Sequence, residues 1–117
     1  MDSCLKFSPF DGDTESLLVN QNYLVFRWVG PGKILFSVTR KGDAAYCHFR
    51  SDRDGLRHTK QAFNDFVSFV FYLFDWCKMI IASVVEKPSI ERMLVKCGFQ
   101  LFATVPKKRA TVYMRCK

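Results

Sequence analysis

Short apolar runs broken by glycine-bearing turns fill the first half of the chain, and apolar residues at helical spacing dominate the second. Residues 23–29, 33–40 and 44–50 are strand-like, separated by Gly30-Pro31-Gly32 and Lys41-Gly42-Asp43. Breaks this short predict antiparallel hairpins, hence a three-strand meander. Residues 4–10 read as a short first strand. The turn Asp11-Gly12-Asp13 follows, with Asp13 or Thr14 placed to cap a short helix reaching Val19.

Residues 51–58 are polar and contain Asp54-Gly55, which predicts a loop. From Thr59 to Trp76 there is no Pro or Gly. Ala62, Phe63, Phe66, Val67, Val70, Leu73 and Phe74 recur there at helical spacing. Phe69, Phe71, Tyr72 and Trp76 fall outside that stripe. A helix apolar nearly all round is buried on several sides or meets another chain, so these four are expected to be covered partly by a protein partner or a second copy. Residues 79–85 form a continuous Ile/Val-rich run, expected as a strand buried on both faces and parallel to residues 44–50. The intervening segment is long enough for a βαβ crossover. Pro88 suits the first position of a second helix with Ile90, Met93, Leu94 and Cys97 as its inner stripe, stopped by Gly98. Residues 99–105 and 110–115 close the chain as a hairpin turned by Pro106-Lys107-Lys108-Arg109. The expected fold is α/β (α+β): a mixed sheet with an antiparallel meander, a βαβ unit, a short helix and a C-terminal β-hairpin.

The chain has 117 residues, which fits a single domain over 1–117. With 49% hydrophobic and 25% charged residues it matches a soluble domain with a core of its own. No apolar run is long enough to span a membrane, and the start lacks a basic segment followed by an apolar one, so no membrane contact and a cytoplasmic address are expected. The five cysteines form no C-x-x-C pair and are odd in number, which favours scattered reduced thiols over disulfides or a metal site. Net charge is +7, and residues 78–117 carry nine Lys or Arg against Glu86 and Glu91. Such a balance suits an anionic partner: a phosphorylated cofactor, nucleic acid or an acidic protein surface.

The order of elements, with Lys96-Cys97-Gly98-Phe99 ending a helix that follows a buried strand, resembles the GNAT (Gcn5-related N-acetyltransferase) superfamily over most of the chain. The shortness and basic charge resemble, more loosely, GNAT-like proteins of tailed phages. The resemblance implies that acyl-CoA, commonly acetyl-CoA, lies between two parallel strands that splay apart, here residues 44–50 and 79–85. It further implies that the pyrophosphate rests on the following loop and helix start. The family pattern there is Gln/Arg-x-x-Gly-x-Gly/Ala. Arg57-His58-Thr59-Lys60-Gln61-Ala62 keeps Arg57 and Ala62 but has Lys60 in place of the central glycine. The implied cofactor-binding residues are Arg53, Arg57, Lys60, Gln61 and Ala62. Helix N-termini expose unpaired N–H groups and a positive dipole end, which is the physical reason for phosphate there.

For catalysis the resemblance implies His48, with Tyr46 beside it, as the suitable groups on the third meander strand; histidine has the right intrinsic pKa for a general base. The family often places a Tyr general acid at the position of Leu94, and an Asn at that of Lys87. The Gly98 stop predicts that the helix faces the cleft at Leu94. The N-terminal helical region is shorter than is usual in the family, so the acceptor side is minimal or supplied by another chain. Three functions follow. The first is an acyl-CoA-dependent N-acyltransferase acting on an amine, or a degraded relative. The second is a non-catalytic GNAT-like protein binding a protein or virion partner. The third is a small basic nucleic-acid binder, which charge alone favours.

Overall fold

The computed structural model describes residues 6–9, 24–85 and 87–117. Within them the chain runs β1 (Phe7–Pro9), β2 (Leu24–Trp28), β3 (Ile34–Lys41), β4 (Ala44–Ser51), α1 (Thr59–Leu73), β5 (Met79–Val85), α2 (Pro88–Lys96), β6 (Gln100–Val105) and β7 (Ala110–Cys116). The helix expected over residues 13–19 lies outside the described residues. Seven strands form one sheet in the order β1-β2-β3-β4-β5-β7-β6. Glycine turns force β2, β3 and β4 into the expected antiparallel meander. β4 and β5 are parallel neighbours joined through α1, and β6 and β7 form the closing hairpin. No helix among the described residues is long and apolar enough to cross a membrane.

Side chains alternate across the sheet, which assigns each residue a face. Trp28, Phe36, Val38, Ala45, Cys47, Ile80 and Ala82 point to one face and share a core with Phe63, Phe66 and Val70 of α1 and Met93 and Leu94 of α2. The Phe36 ring meets Phe66 edge-on at 4.2 Å and Phe63 at 4.9 Å. Asp65 ties α1 to the sheet edge: it accepts the Trp28 indole N–H at 2.8 Å and lies 3.3 Å from the Lys6 ammonium. Cys47, Cys77, Cys97 and Cys116 are free thiols, the first three buried. Burial pushes the Cys47 thiol up to about 12, with Cys77 adding to it, so it carries no thiolate at neutral pH.

Three expectations are corrected. The polar segment after β4 is not all loop, because Gly55–His58 forms a 3-10 turn that runs directly into α1. α1 stops at Leu73 rather than Trp76, since Phe74 is extended and the chain must turn so that the Lys78 N–H can reach the Asp43 carbonyl at the head of β5. Trp76 instead lies 5.0 Å from the Phe74 ring, beneath the Arg40 guanidinium at 4.6 Å. The aromatic residues outside the main stripe do not make a free docking face. Phe69 stacks on Phe7 at 4.6 Å and meets Phe26 at 5.0 Å, while Phe71 and Trp76 pack half-buried against the core. The reason is the width of the sheet: β1 and β2 extend it beneath that side of α1. Of the four, only Tyr72 is freely exposed, at 67%.

Candidate functional site

β4 and β5 are in parallel register from Ala44 opposite Met79 to Cys47 opposite Ala82. Both strands run on, β4 to Ser51 and β5 to Val85, without further pairing to each other. Each keeps its outer neighbour: Ser51 still faces Ile34 of β3, and Val85 still faces Ala110 of β7. The sheet therefore opens into two wings. A strand aims its N–H and C=O groups at a given neighbour every second residue, so backbone polar groups face the gap from both sides.

His48 is the first residue past the last pair, at the fork. Its side chain lies on the face away from α1 and α2, since Cys47 and Phe49 on either side pack with the core. It is half-buried, and desolvation lowers its pKa below the ordinary histidine value. The neutral imidazole, the form that accepts a proton, therefore predominates at neutral pH. Tyr46 shares that face but lies below the fork, opposite Ile81, with the Lys41 ammonium 4.8 Å from its ring centroid. The structure thus separates the two expected catalytic residues: His48 borders the opening and Tyr46 the closed part of the sheet.

Past β4, Asp52 organises the mouth of the gap. Its Oδ1 accepts the Lys33 N–H at 3.0 Å and the Gly55 N–H at 2.8 Å, and its own N–H donates to the Lys33 carbonyl at 2.9 Å. Gly32, at φ +76°, packs directly on the backbone of Gly55, where a Cβ would collide. Two loops are thereby locked under the start of α1. Sequence reasoning missed Asp52; the spacing Asp52-x-x-Gly55 is the signal of a side chain closing a turn on later backbone. The Lys33 and Gly55 N–H groups, in that order, hold the Asp52 carboxyl below the ordinary aspartate value of 3.8. A depressed carboxyl contributes stability above its unfolded pKa and loses it as pH falls through the folded one. Asp52→Ala is expected to speed hydrogen exchange at Lys33 and Gly55. Its stability deficit relative to the parent should hold constant from neutral pH to about the ordinary aspartate value and shrink only below it, as chemical denaturation at a series of pH values would show.

Arg53, Arg57, Lys60 and Gln61 are exposed around this helix start. Among the described residues no ion pair engages Arg53, Arg57 or Lys60. The first turn of α1 has no acidic residue, and His58 makes no side-chain cap. Cations beside the positive end of a helix dipole are unfavourable unless an anion joins them, so the arrangement suits a phosphate-bearing ligand. Ala62 is wholly buried and offers a ligand at most its N–H. Lys60 stands in the position of the family glycine and is exposed, adding a positive charge at the helix start.

On the other wing the helix stop has the expected form. Gly98 takes φ +90°, where a Cβ would come 2.7 Å from Arg115 Nε, and the Phe99 N–H closes onto the Leu94 carbonyl at 3.0 Å. Leu94 itself is 0% exposed and belongs to the core. The expectation that α2 presents this position to an open cleft is corrected: the stripe that makes α2 amphipathic turns Leu94 inward with Ile90 and Met93.

Solved structures share this architecture at low sequence identity. An IAA acetyltransferase from Bacillus cereus superposes with a TM-score of 0.74 at 12% identity, over 95% of this chain and 98% of that one. A Bacillus subtilis acetyltransferase in complex with CoA gives 0.70 at 10% identity, over 96% and 98%. A spermidine N-acetyltransferase chimera from Vibrio cholerae and hSSAT gives 0.69 at 13%, over 83% of this chain and 67% of that one. No family model and no curated protein matches the sequence. The fold is that of the GNAT acetyltransferases, as the resemblance implied. The looser likeness to phage proteins gains no support from these neighbours.

Proposed function

We propose that the chain is an N-acyltransferase that takes its acyl group from acyl-CoA, commonly acetyl-CoA, and passes it to an amine. The observation that carries this is the fork after Cys47 and Ala82, with His48 at its base and an unpaired cationic helix start at its mouth. When bound, acyl-CoA supplies a thioester carbonyl open to nucleophilic attack. Arg53, Arg57, Lys60 and the first N–H groups of α1 hold its pyrophosphate. The backbone of β4 past the fork, which has no β5 partner, offers N–H groups that would stabilise negative charge developing on the carbonyl oxygen. His48, neutral and facing away from the helices, takes the proton that the amine loses as its nitrogen bonds to the acyl carbon. With Leu94 in the core, no side chain of α2 serves as acid at that position, and the thiolate leaves unassisted, as a thiol of pKa about 8–9 allows.

Calorimetry with CoA tests the donor half of this reading. The parent should bind, and Arg57→Ala should bind about 10–100-fold more weakly, the equivalent of losing one charge-assisted contact of about 1.5–3 kcal/mol. No heat from the parent at millimolar CoA would overturn the assignment of this helix start.

A further inference from the structure

Ser37 lies midway along β3 and is 0% exposed, and among the described residues its hydroxyl is buried without a hydrogen-bond partner. An orphaned hydroxyl away from water is unfavourable, so native structures keep few of them. The place of Ser37 in the sheet supplies a reason for this one. The antiparallel register of β3 and β4 sets it directly opposite His48. Directly opposed side chains share a face, with Cβ atoms about 4.5–5.5 Å apart. A serine oxygen and an imidazole nitrogen on such a pair come within hydrogen-bond distance by rotation about side-chain bonds alone.

We propose that Ser37 is a positioning residue for the base: its oxygen accepts an N–H of the His48 ring when that ring becomes an imidazolium. The proposal rests on the reading of His48 as general base. In that step the proton leaves the amine nitrogen for the bare nitrogen of the ring. The neutral ring carries one N–H and the charged ring two, so a second acceptor is needed only as the proton arrives. The other groups on this face do not offer a free carboxylate. β4 presents Tyr46 and Arg50 there, β3 Lys41 and β2 Arg27, while β5 has no titratable side chain. Asp52, past the end of β4, has its Oδ1 committed to the Lys33 and Gly55 N–H groups and lies in the field of Arg27 and Lys33. The neutral hydroxyl of Ser37 is therefore the acceptor kept in reserve beneath the ring. A contact made only in the charged state favours the transition state over the resting enzyme, so it raises kcat rather than tightening substrate binding.

Proton NMR titration of the full chain reads this without turnover, the His48 ring signals being identified by their loss in His48→Ala. A hydrogen bond to the charged form holds a pKa up, so deleting its acceptor lets the pKa fall. In Ser37→Ala the His48 midpoint should drop by about one pH unit, and kcat for thiol release should fall about ten-fold with KM unchanged. The urea midpoint of Ser37→Ala should match or exceed that of the parent, since the hydroxyl removed has no partner in the resting protein. In a His48→Ala background, Ser37→Ala should change kcat no further. An unmoved His48 midpoint in Ser37→Ala, with His48→Ala slow, would overturn this proposal alone and leave the base assignment standing. A clear loss of stability in Ser37→Ala would also overturn it, by making the hydroxyl structural. A His48→Ala protein as fast as the parent would remove the base reading itself, and this proposal with it.

Discussion

Replacing His48 with alanine is expected to slow acyl transfer by about 10²–10⁴-fold, the range that a positioned general base supplies. Binding of CoA should be unaffected, because the pyrophosphate contacts proposed for it lie at the α1 start and the imidazole lies on the opposite face of the sheet. The pH profile carries the sharper content. Desolvation disfavours the imidazolium, so the folded pKa lies below the ordinary value of 6.5. The base form is present above that lowered pKa and is lost as pH falls through it. The acid limb of turnover in the parent should therefore fall below 6.5, and it should disappear in His48→Ala together with most of the rate. Tyr46→Phe serves as the comparison: it changes a residue on the same strand and face but below the fork, and should cost little. Thiol release from acetyl-CoA with a panel of amines is the measurement. A His48→Ala protein as fast as the parent would remove the imidazole from the mechanism.

Much of this architecture was readable from residues 23 onward, because the local and global signals agree. The turns Gly30-Pro31-Gly32 and Lys41-Gly42-Asp43 determine the meander, and the apolar run of Met79–Val85, suited to a strand buried on both faces, has the parallel neighbour expected of it in β4. Where the reading failed, the missing information was tertiary. The helical pattern continues past Leu73 to Trp76, yet the chain leaves the helix because β5 must start beside Asp43. Phe69 looks surplus on a helical wheel, but it is core once β1 and β2 lie beneath it.

The candidate site was legible as residue types more than as geometry. His48 and Tyr46 share one strand and one face in the sequence, and nothing there distinguishes them. The last register pair, Cys47 with Ala82, does so by placing the fork between them. The cations at the α1 start were visible, but Asp52, which fixes the loop carrying them, was hidden among four charged residues between Arg50 and Asp54.

Leu94 gives the last expected result. A Tyr at this place would supply an acid to the departing thiolate if the side chain reached the fork. The side chain is instead fully enclosed among the core residues shared by α1, α2 and the sheet. Leu94→Tyr must then fit a larger ring into a filled site, at about 1–3 kcal/mol. Its hydroxyl, lacking a partner in an apolar core, adds about 1–3 kcal/mol more. Leu94→Ala should cost about 2–5 kcal/mol by the opposite route, a cavity. Against a typical total stability of about 5–15 kcal/mol, either change is large. Both proteins should therefore unfold at distinctly lower urea concentration than the parent. Leu94→Tyr should release thiol no faster per folded molecule, because the phenol has no path to the fork. A Leu94→Tyr protein as stable as the parent and faster in turnover would show that α2 can turn this position out of the core and into the gap between β4 and β5.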